Sequence, residues 1–438
     1  MCRVLLISNN CFNTSGSNGR VMYELFSEFS SDQLHQFYIS PGVPDLDFCS
    51  SYYYFSDKDA LLSLFHCRNR GTVITKKKAK DSEMIQKKNE PNQLSIKKSA
   101  FTYLVRDVVW QLSHWGSKQF WAWVDDFKPD VVYYQAGDSS FMPQIALKIA
   151  KRNNIPIVIY NTENYYFKDY NYFFGTRGSI SYYLFHNRMR ESFKKIIEYS
   201  SLEFYNSEYL EEMFEKEFGK KGEVIYQASS LIGEEVISGA EIKDSFLYAG
   251  NLGLHRHKSL IQLAKALSNI STSYIVDVYG SADDQVISEL RQVDNIRYHG
   301  LVPYAELVDI MKKTEYLIHV ETFEDDYVKD LVTAFTTKIA DILALGKCMI
   351  MFAPESLACT KYLIDNDCAF VLKNDGDLSK QLSSFFNDSA LKERYKRNGI
   401  VAASKNNDAK KNSKKLIGLI ESVVATTQGD NLFLTLEN

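Results

Sequence analysis

The sequence predicts an α/β protein made of two successive doubly wound domains. Three observations carry this. Short continuous apolar runs alternate with helical stretches, as strands buried on both faces of a parallel sheet require. The alternation starts at Val4, loses its pattern over residues 220–243 and restarts at Phe246. The 438 residues amount to two or three domains at roughly 150 residues each.

Val4–Ile7 is the first apolar run, followed by the turn-rich loop Ser8–Arg20 and a helical stretch Val21–Phe29. Strand, polar glycine loop and helix make one βα unit. The pattern recurs as strand Asp130–Tyr134, loop Gln135–Ser140 and helix Met142–Lys151. Ile155–Tyr160 is a strand ended by Asn161-Thr162-Glu163-Asn164, and Glu203–Tyr205 precedes the helix Glu208–Phe218. In the second half, strand Phe246–Ala249, loop Gly250–Lys258 and helix Ser259–Ser268 open the domain. Strand Tyr274–Tyr279, helix Ala305–Lys313 and strand Tyr316–Val320 follow. Helix Thr336–Leu345, with Gly346 as its C′ residue, leads to strand Met349–Phe352. The expected division is 1–240, 241–405 and a terminal piece 406–438, helical over Lys410–Val424, with Thr426–Asn438 as a mobile tail or a small add-on.

Composition narrows the class. At 45% hydrophobic and 24% charged residues, the chain is neither disordered, collagenous nor a disulfide scaffold. Its seven scattered cysteines include no C-x-x-C and read as reduced thiols of a cytoplasmic protein. The N-terminus reads as a buried strand instead of a signal peptide, and no apolar run approaches the ~18–20 residues of a membrane span. The net charge of −4 carries no chain-wide nucleic-acid footprint, but residues 68–98 hold ten Lys/Arg against three Asp/Glu. Directly after them come all four tryptophans, Trp110, Trp115, Trp121 and Trp123, beside a helical stripe of Phe101, Leu104, Val105, Val108, Leu112 and Trp115. This insert, 68–128, has two readings. It is a peripheral membrane contact through residues 72–123 at the inner face of the membrane, or a solvated loop followed by a helix packed on its domain. No nucleic-acid module surrounds it.

Ligands of open α/β sheets bind outside the carboxyl ends of the strands. That rule selects the loops Ser8–Arg20, Gln135–Ser140, Asn161–Asn164, Gly250–Lys258, Gly280–Asp284, Gly300–Tyr304 and Glu321–Lys338. Their glycines, with Arg256 and Lys258 beside them, suit a nucleoside-diphosphate ligand. G-x-G-x-x-G and G-x-x-x-x-G-K-[ST] are absent from the first loop, which leaves a dinucleotide oxidoreductase and a P-loop NTPase unsupported. The D-x-D triplets at Asp45/Asp47, Asp57/Asp59, Asp365/Asp367 and Asp375/Asp377 read as chance, and no spacing matches a zinc site, so no metal is expected.

The stretch FLYAGNLGLHRHKSLIQLAKAL (Phe246–Leu267) resembles the opening of the C-terminal domain of GT-B-fold glycosyltransferases, nearest to the large retaining family four. FTTKIADILALGKCMIM (Phe335–Met351) resembles that family's S-K-x-x-E-Y-L-A-x-G-K-P segment, and NIRYHGLV (Asn295–Val302) its V-x-F-x-G-x-V step. The resemblance implies two Rossmann-like domains facing a central cleft. It implies that Arg256 and Lys258 neutralise a donor diphosphate and that Asn18 and Gly19 lie near its distal phosphate and sugar. Thr337 and Lys338 would meet the phosphates at a helix N-terminus, and Asn251 would line the donor site. Asp341 stands where the family has a glutamate that holds the ribose hydroxyls, and His299, Gly300 and Val302 would flank the base. The family's histidine after the strand ending at Tyr160 is replaced by Asn161, with Glu163 and Asp138 as neighbouring candidates for the acceptor hydroxyl.

The expected function is transfer of a sugar from a nucleotide-diphosphate donor, a UDP-sugar first, to a hydroxyl of a saccharide or lipid-linked acceptor. Retention, metal independence and a role in cell-surface polysaccharide assembly are part of that expectation. No cofactor beyond the donor is implied. The alternatives are a non-catalytic GT-B-like subunit that binds a partner transferase, and a nucleotide-sugar epimerase or hydrolase on the same fold.

Overall fold

The computed structural model describes residues 2–13, 17–65, 70–76, 99–168, 179–234 and 241–436. Two compact units result, Met1–Ile225 with Lys410–Asn438, and Tyr226–Ala409.

The first unit holds an eight-stranded sheet. Its strands are β1 (Val4–Ser8), β2 (Leu34–Tyr38), β3 (Ser51–Tyr54), β4 (Thr72–Thr75), β5 (Val131–Gln135), β6 (Ile157–Asn161), β7 (Leu202–Tyr205) and β8 (Glu223–Val224). Their order is β4-β3-β2-β1-β5-β6-β7-β8, parallel except for the β3–β4 pair. Every residue of β1 is buried, and Leu5 stands between His35 and Val132 in the register. The helix Phe141–Asn153 ends where Asn154 turns left-handed at φ 51°, with Lys151 and Arg152 in its last turn.

Several expectations change here. The first helix spans Ser17–Leu25, one turn earlier than the apolar pattern suggested. Strands β2 and β3 had no sequence expectation. The aromatic part of the insert forms two helices, Ala100–Leu112 and Lys118–Phe127. Trp110, Trp115 and Trp123 are core residues, not surface anchors. Trp110 stacks on Phe141 at 4.4 Å, and the Trp123 indole donates to Ser51 Oγ at 2.9 Å. The lysines from residue 77 to 98 lie outside the described residues.

The terminal helix runs Ala409–Leu436, through the stretch expected as a tail. Leu416 and Ile420 enter the core with Val4, Leu6, Met22 and Phe26. The Glu28 N–H donates to Ser413 Oγ at 3.0 Å, and Lys415 pairs with Glu223 at 2.9 Å. Residues from Lys410 onward therefore complete the first unit.

The second unit holds a parallel six-stranded sheet. Its strands are β9 (Ile242–Ala249), β10 (Val276–Tyr279), β11 (Ile296–Gly300), β12 (Thr314–Val320), β13 (Cys348–Phe352) and β14 (Phe370–Val371). The order is β11-β10-β9-β12-β13-β14, so the winding reverses between β9 and β12. That reversal is the topological switch point at which doubly wound sheets bind ligands. The unit begins before residue 240. Ser229 N–H donates to Asn407 O at 2.7 Å, and the Asn407 amide donates to Gln227 O at 2.7 Å, which ties the unit's entry to its exit.

The six described cysteines are free and buried. Among the described residues, no helix is long and apolar enough to cross a membrane.

Candidate functional site

The carboxyl ends of β9, β10 and β11 are stitched by backbone bonds. Gly250 N–H donates to Tyr279 O at 2.7 Å, Gly280 N–H to Gly300 O at 2.8 Å, and Leu252 N–H to Ser281 O at 3.1 Å. Gly250 and Gly280 have φ of 151° and 155°, which a side chain rarely adopts. A Cβ on Gly280 would overlap the Gly250 carbonyl, and one on Gly250 would overlap Lys338 Nζ. The two glycines thus bring backbone and a lysine together where a larger residue would separate them.

Arg256 opens the helix Arg256–Ile270 behind β9, and Glu321 follows β12. Arg256 Nε donates to Glu321 Oε2 at 2.6 Å, so the pair spans the switch point. His319 Nε2 lies 3.2 Å from the other oxygen of Glu321. Burial pushes the Glu321 carboxyl up, but the Arg256 guanidinium and the His319 ring outweigh it and hold its pKa at about 2. Burial pushes His319 down, so it stays neutral near pH 7. Lys258 donates to Glu324 Oε1 at 2.8 Å, and the His255 ring meets Glu324 Oε2 at 2.7 Å.

Lys338 is different. Its Nζ lies 5.3 Å from the Tyr248 ring and makes no hydrogen bond or ion pair among the described residues. Burial pushes its pKa down to about 8, the Arg256 charge acts in the same direction, and Glu321 opposes both. Lys338 is the second residue of the helix Thr337–Ala344, whose cap is Thr336, not Thr337. Thr336 Oγ1 accepts from Lys338 N–H at 3.3 Å. The arrangement presents one unneutralised cation, a paired guanidinium and a helix start at one crevice, which suits an anion.

The other expected donor residues fall as follows. Asn251 Nδ2 donates to Ser281 Oγ at 3.2 Å, and its Oδ1 accepts from Gly253 N–H at 2.6 Å. Asp341 is buried, and its Oδ1 accepts from Ser229 Oγ at 2.7 Å. His299 meets Asp277 at 2.7 Å and stacks on Tyr279 at 4.5 Å at the ends of β11 and β10. Gly300 has φ of 80° and open space where a Cβ would point, and Val302 is half-buried beyond it. Gly19 belongs to the first unit, packed in the helix Ser17–Leu25 so that a Cβ would fall 2.7 Å from the Asn13 amide. The Asn18 side chain lies outside the described residues.

The three expected catalytic residues gather at the ends of the adjacent strands β5 and β6 in the first unit. Asn161 is fully buried, and neither its amide nitrogen nor its oxygen has a partner among the described residues. Glu163 lies 3.8 Å from Lys168. Burial first, and then the nearby Asp138 carboxylate, push the pKa of the Tyr103 hydroxyl up to about 12. The loop carrying Asp138 is held by Asp107, a buried acid that accepts from Ser140 N–H at 3.2 Å and from Arg188 at 3.3 Å. Asp107 lies inside an apolar helical stripe and gave no sequence signal, nor did Tyr248 or His319. Two of the D-x-D acids serve helix starts, Asp59 accepting from Ser56 N–H at 3.0 Å and Asp377 from Lys380 N–H at 3.1 Å, whereas Asp57 bonds Arg106 and Trp110. No metal-holding group of three His, Cys, Asp or Glu occurs among the described residues.

No protein-family model matches the chain, and no curated protein matches it by sequence. Solved structures match it in fold. The HepE protein of Anabaena, solved with UDP and glucose, covers 96% of this chain and 100% of its own, with a TM-score of 0.62 at 12% identity. Sucrose-phosphate synthase from Thermosynechococcus elongatus covers 97% of this chain and 100% of its own, with a TM-score of 0.60 at 10% identity. A glycosyltransferase from Rickettsia africae covers 97% of this chain and 99% of its own, with a TM-score of 0.55 at 11% identity. The likeness is one of fold, and the chain has the fold of these GT-B glycosyltransferases, two parallel α/β sheets in succession.

Proposed function

We propose that the chain is a glycosyltransferase that takes a sugar from a nucleoside-diphosphate donor, a UDP-sugar, and passes it to a hydroxyl of a saccharide or lipid-linked acceptor. The observation that carries this is the switch-point crevice of the second unit, with Lys338 unpaired over Gly250 and Arg256 set by Glu321. The fold shared with proteins solved with UDP supports the choice of base.

As the bond from the anomeric carbon to the diphosphate breaks, negative charge grows on the leaving oxygen. Lys338 Nζ and the Arg256 guanidinium are cations fixed before that charge forms, so little reorganisation is needed. In a retaining front-face transfer the leaving phosphate takes the acceptor's proton, and the new bond forms on the face the diphosphate leaves. No side-chain base is then required, which accommodates Asn161. With the diphosphate charge met by side chains, the reading needs no metal. Asp138 and Glu163 are assigned to the acceptor hydroxyls in the first unit. The pathway we assign is cell-surface glycoconjugate assembly.

A thermal-shift panel of UDP-, GDP-, dTDP- and CDP-sugars tests the donor, because a ligand of the folded state raises its melting temperature. A shift with UDP-sugars, and UDP release with an acceptor panel, is expected. A UDP shift with no UDP release from any donor would favour the non-catalytic subunit, and no shift with any nucleotide would overturn the donor reading.

A further inference from the structure

The helix Ala100–Leu112 buries Trp110 and Asp107 on one side and exposes Phe101, Val105, Val108 and Leu112 on the other. Those four positions are spaced as one helical face. Phe101 and Leu112, at its two ends, are 64% and 63% exposed. The helix Ile180–Tyr199 lies alongside, fixed by Arg188 to Asp107 and Gln111 and by Tyr103 packing edge-on against Phe185. Its own exposed apolar residues are Ile180, at 78%, with Tyr183 and Leu184. On the other flank is the helix Asp57–Ser63, bound through Asp57 to Arg106 and Trp110. It exposes Leu61, with Phe65 just beyond its end. Single exposed apolar residues are ordinary, but eight on three adjoining helices of one unit, with Phe65 beside them, are not.

We propose that this face is a docking surface for an anionic lipid bilayer. The reading goes beyond sugar transfer and stands without it. The choice of occupant rests on the chain that enters these helices. Residues 77–98, which join the first helix at Ser99, carry seven lysines and three acids. Residues 169–178, which lead to Ile180, carry Tyr170, Tyr172, Phe173, Phe174 and Arg177 with one acid. Lysines tethered beside a bilayer are attracted to anionic headgroups, and tyrosine and phenylalanine settle at headgroup depth. An exposed apolar helix face that follows a lysine-rich stretch in the sequence is the pattern of an interfacial helix. Trp110, Trp115 and Trp123 take no part, being core residues, and Trp121 packs against that core.

Flotation of the full-length protein with phosphatidylcholine vesicles, with and without phosphatidylglycerol, tests this. Binding to the anionic vesicles that weakens with added salt is expected. The double variant Phe101→Ser/Leu112→Ser should lower that binding at least tenfold with an unchanged melting temperature. Lys87→Glu/Lys88→Glu should lower it and flatten the salt dependence. Three results would overturn the proposal. One is a wild-type protein that floats with neither vesicle, and another is a double variant that binds as well as wild type. The third is a wild-type dimer in sedimentation that the double variant turns into a monomer, which would make a second copy of the chain the occupant.

Discussion

Lys338 holds a positive charge in a desolvated place with no hydrogen bond among the described residues to steady it, an arrangement that opposes folding. Lys338→Met should therefore raise the melting temperature of the ligand-free protein. The lysine also sets a pH dependence. Its folded pKa, about 8, lies below the ordinary 10.5, so the unfolded chain binds more protons between those values. Stability gained from this group therefore rises with pH through that window, and the rise should vanish in Lys338→Met. Nucleotide binding should run the other way, weakening as pH passes about 8, because the free protein then loses the ammonium an anion needs. Calorimetric titrations at pH 7 and pH 9, wild type against Lys338→Arg, check this; the arginine variant should not weaken. Arg256 is a different case. Arg256→Ala leaves the buried Glu321 charge without its partner, and removing one member of such a pair costs about 3–5 kcal/mol. Chemical denaturation should recover much of that loss in Arg256→Ala/Glu321→Gln. Arg256, Lys258 and Lys338 were legible in the sequence as loop residues. Their different states were not, because the acids that neutralise Arg256 and Lys258 lie 65 and 66 residues away.

Gly250 and Gly280 separate two kinds of intolerance. A side chain at Gly250 meets the flexible end of Lys338, which can move away, whereas one at Gly280 meets fixed backbone. Gly250→Ala should keep more of the stability than Gly280→Ala and still lose nucleotide binding, as thermal melts with and without UDP would show. The strands were unevenly legible. β1, β5 and β6 read as apolar runs because both faces are buried. β2 did not, because His35 and Gln36 interrupt it. The His35 ring stacks on Phe127 at 3.7 Å and on Trp123 at 5.2 Å, and the Gln36 amide donates to Ser8 Oγ and accepts from Phe12 N–H. Those partners come from distant segments, so two polar letters concealed a buried strand. The helix Ala100–Leu112 was visible as an apolar stripe, but which face enters the core depends on Phe141, and the helix Lys118–Phe127 had no sequence expectation.

At the scale of the chain, the restart at Phe246 and two parallel sheets were legible, since alternation with short loops leaves few other arrangements. The return of the C-terminus to the first unit was not, because a lone amphipathic helix carries no address. Truncation after Asp408 removes Leu416 and Ile420 from the core they share with Val4 and Phe26. It should lower soluble yield and the melting temperature of the first unit while leaving UDP binding by the second. The proposed function requires the crevice between β9 and β12 to hold a nucleoside diphosphate on Lys338. Isothermal titration of UDP into wild type and Lys338→Met at pH 7 tests it most directly. Loss of one charge-assisted bond, about 1.5–3 kcal/mol, predicts a dissociation constant raised roughly 10- to 150-fold. Equal affinity of the two proteins for UDP would contradict it.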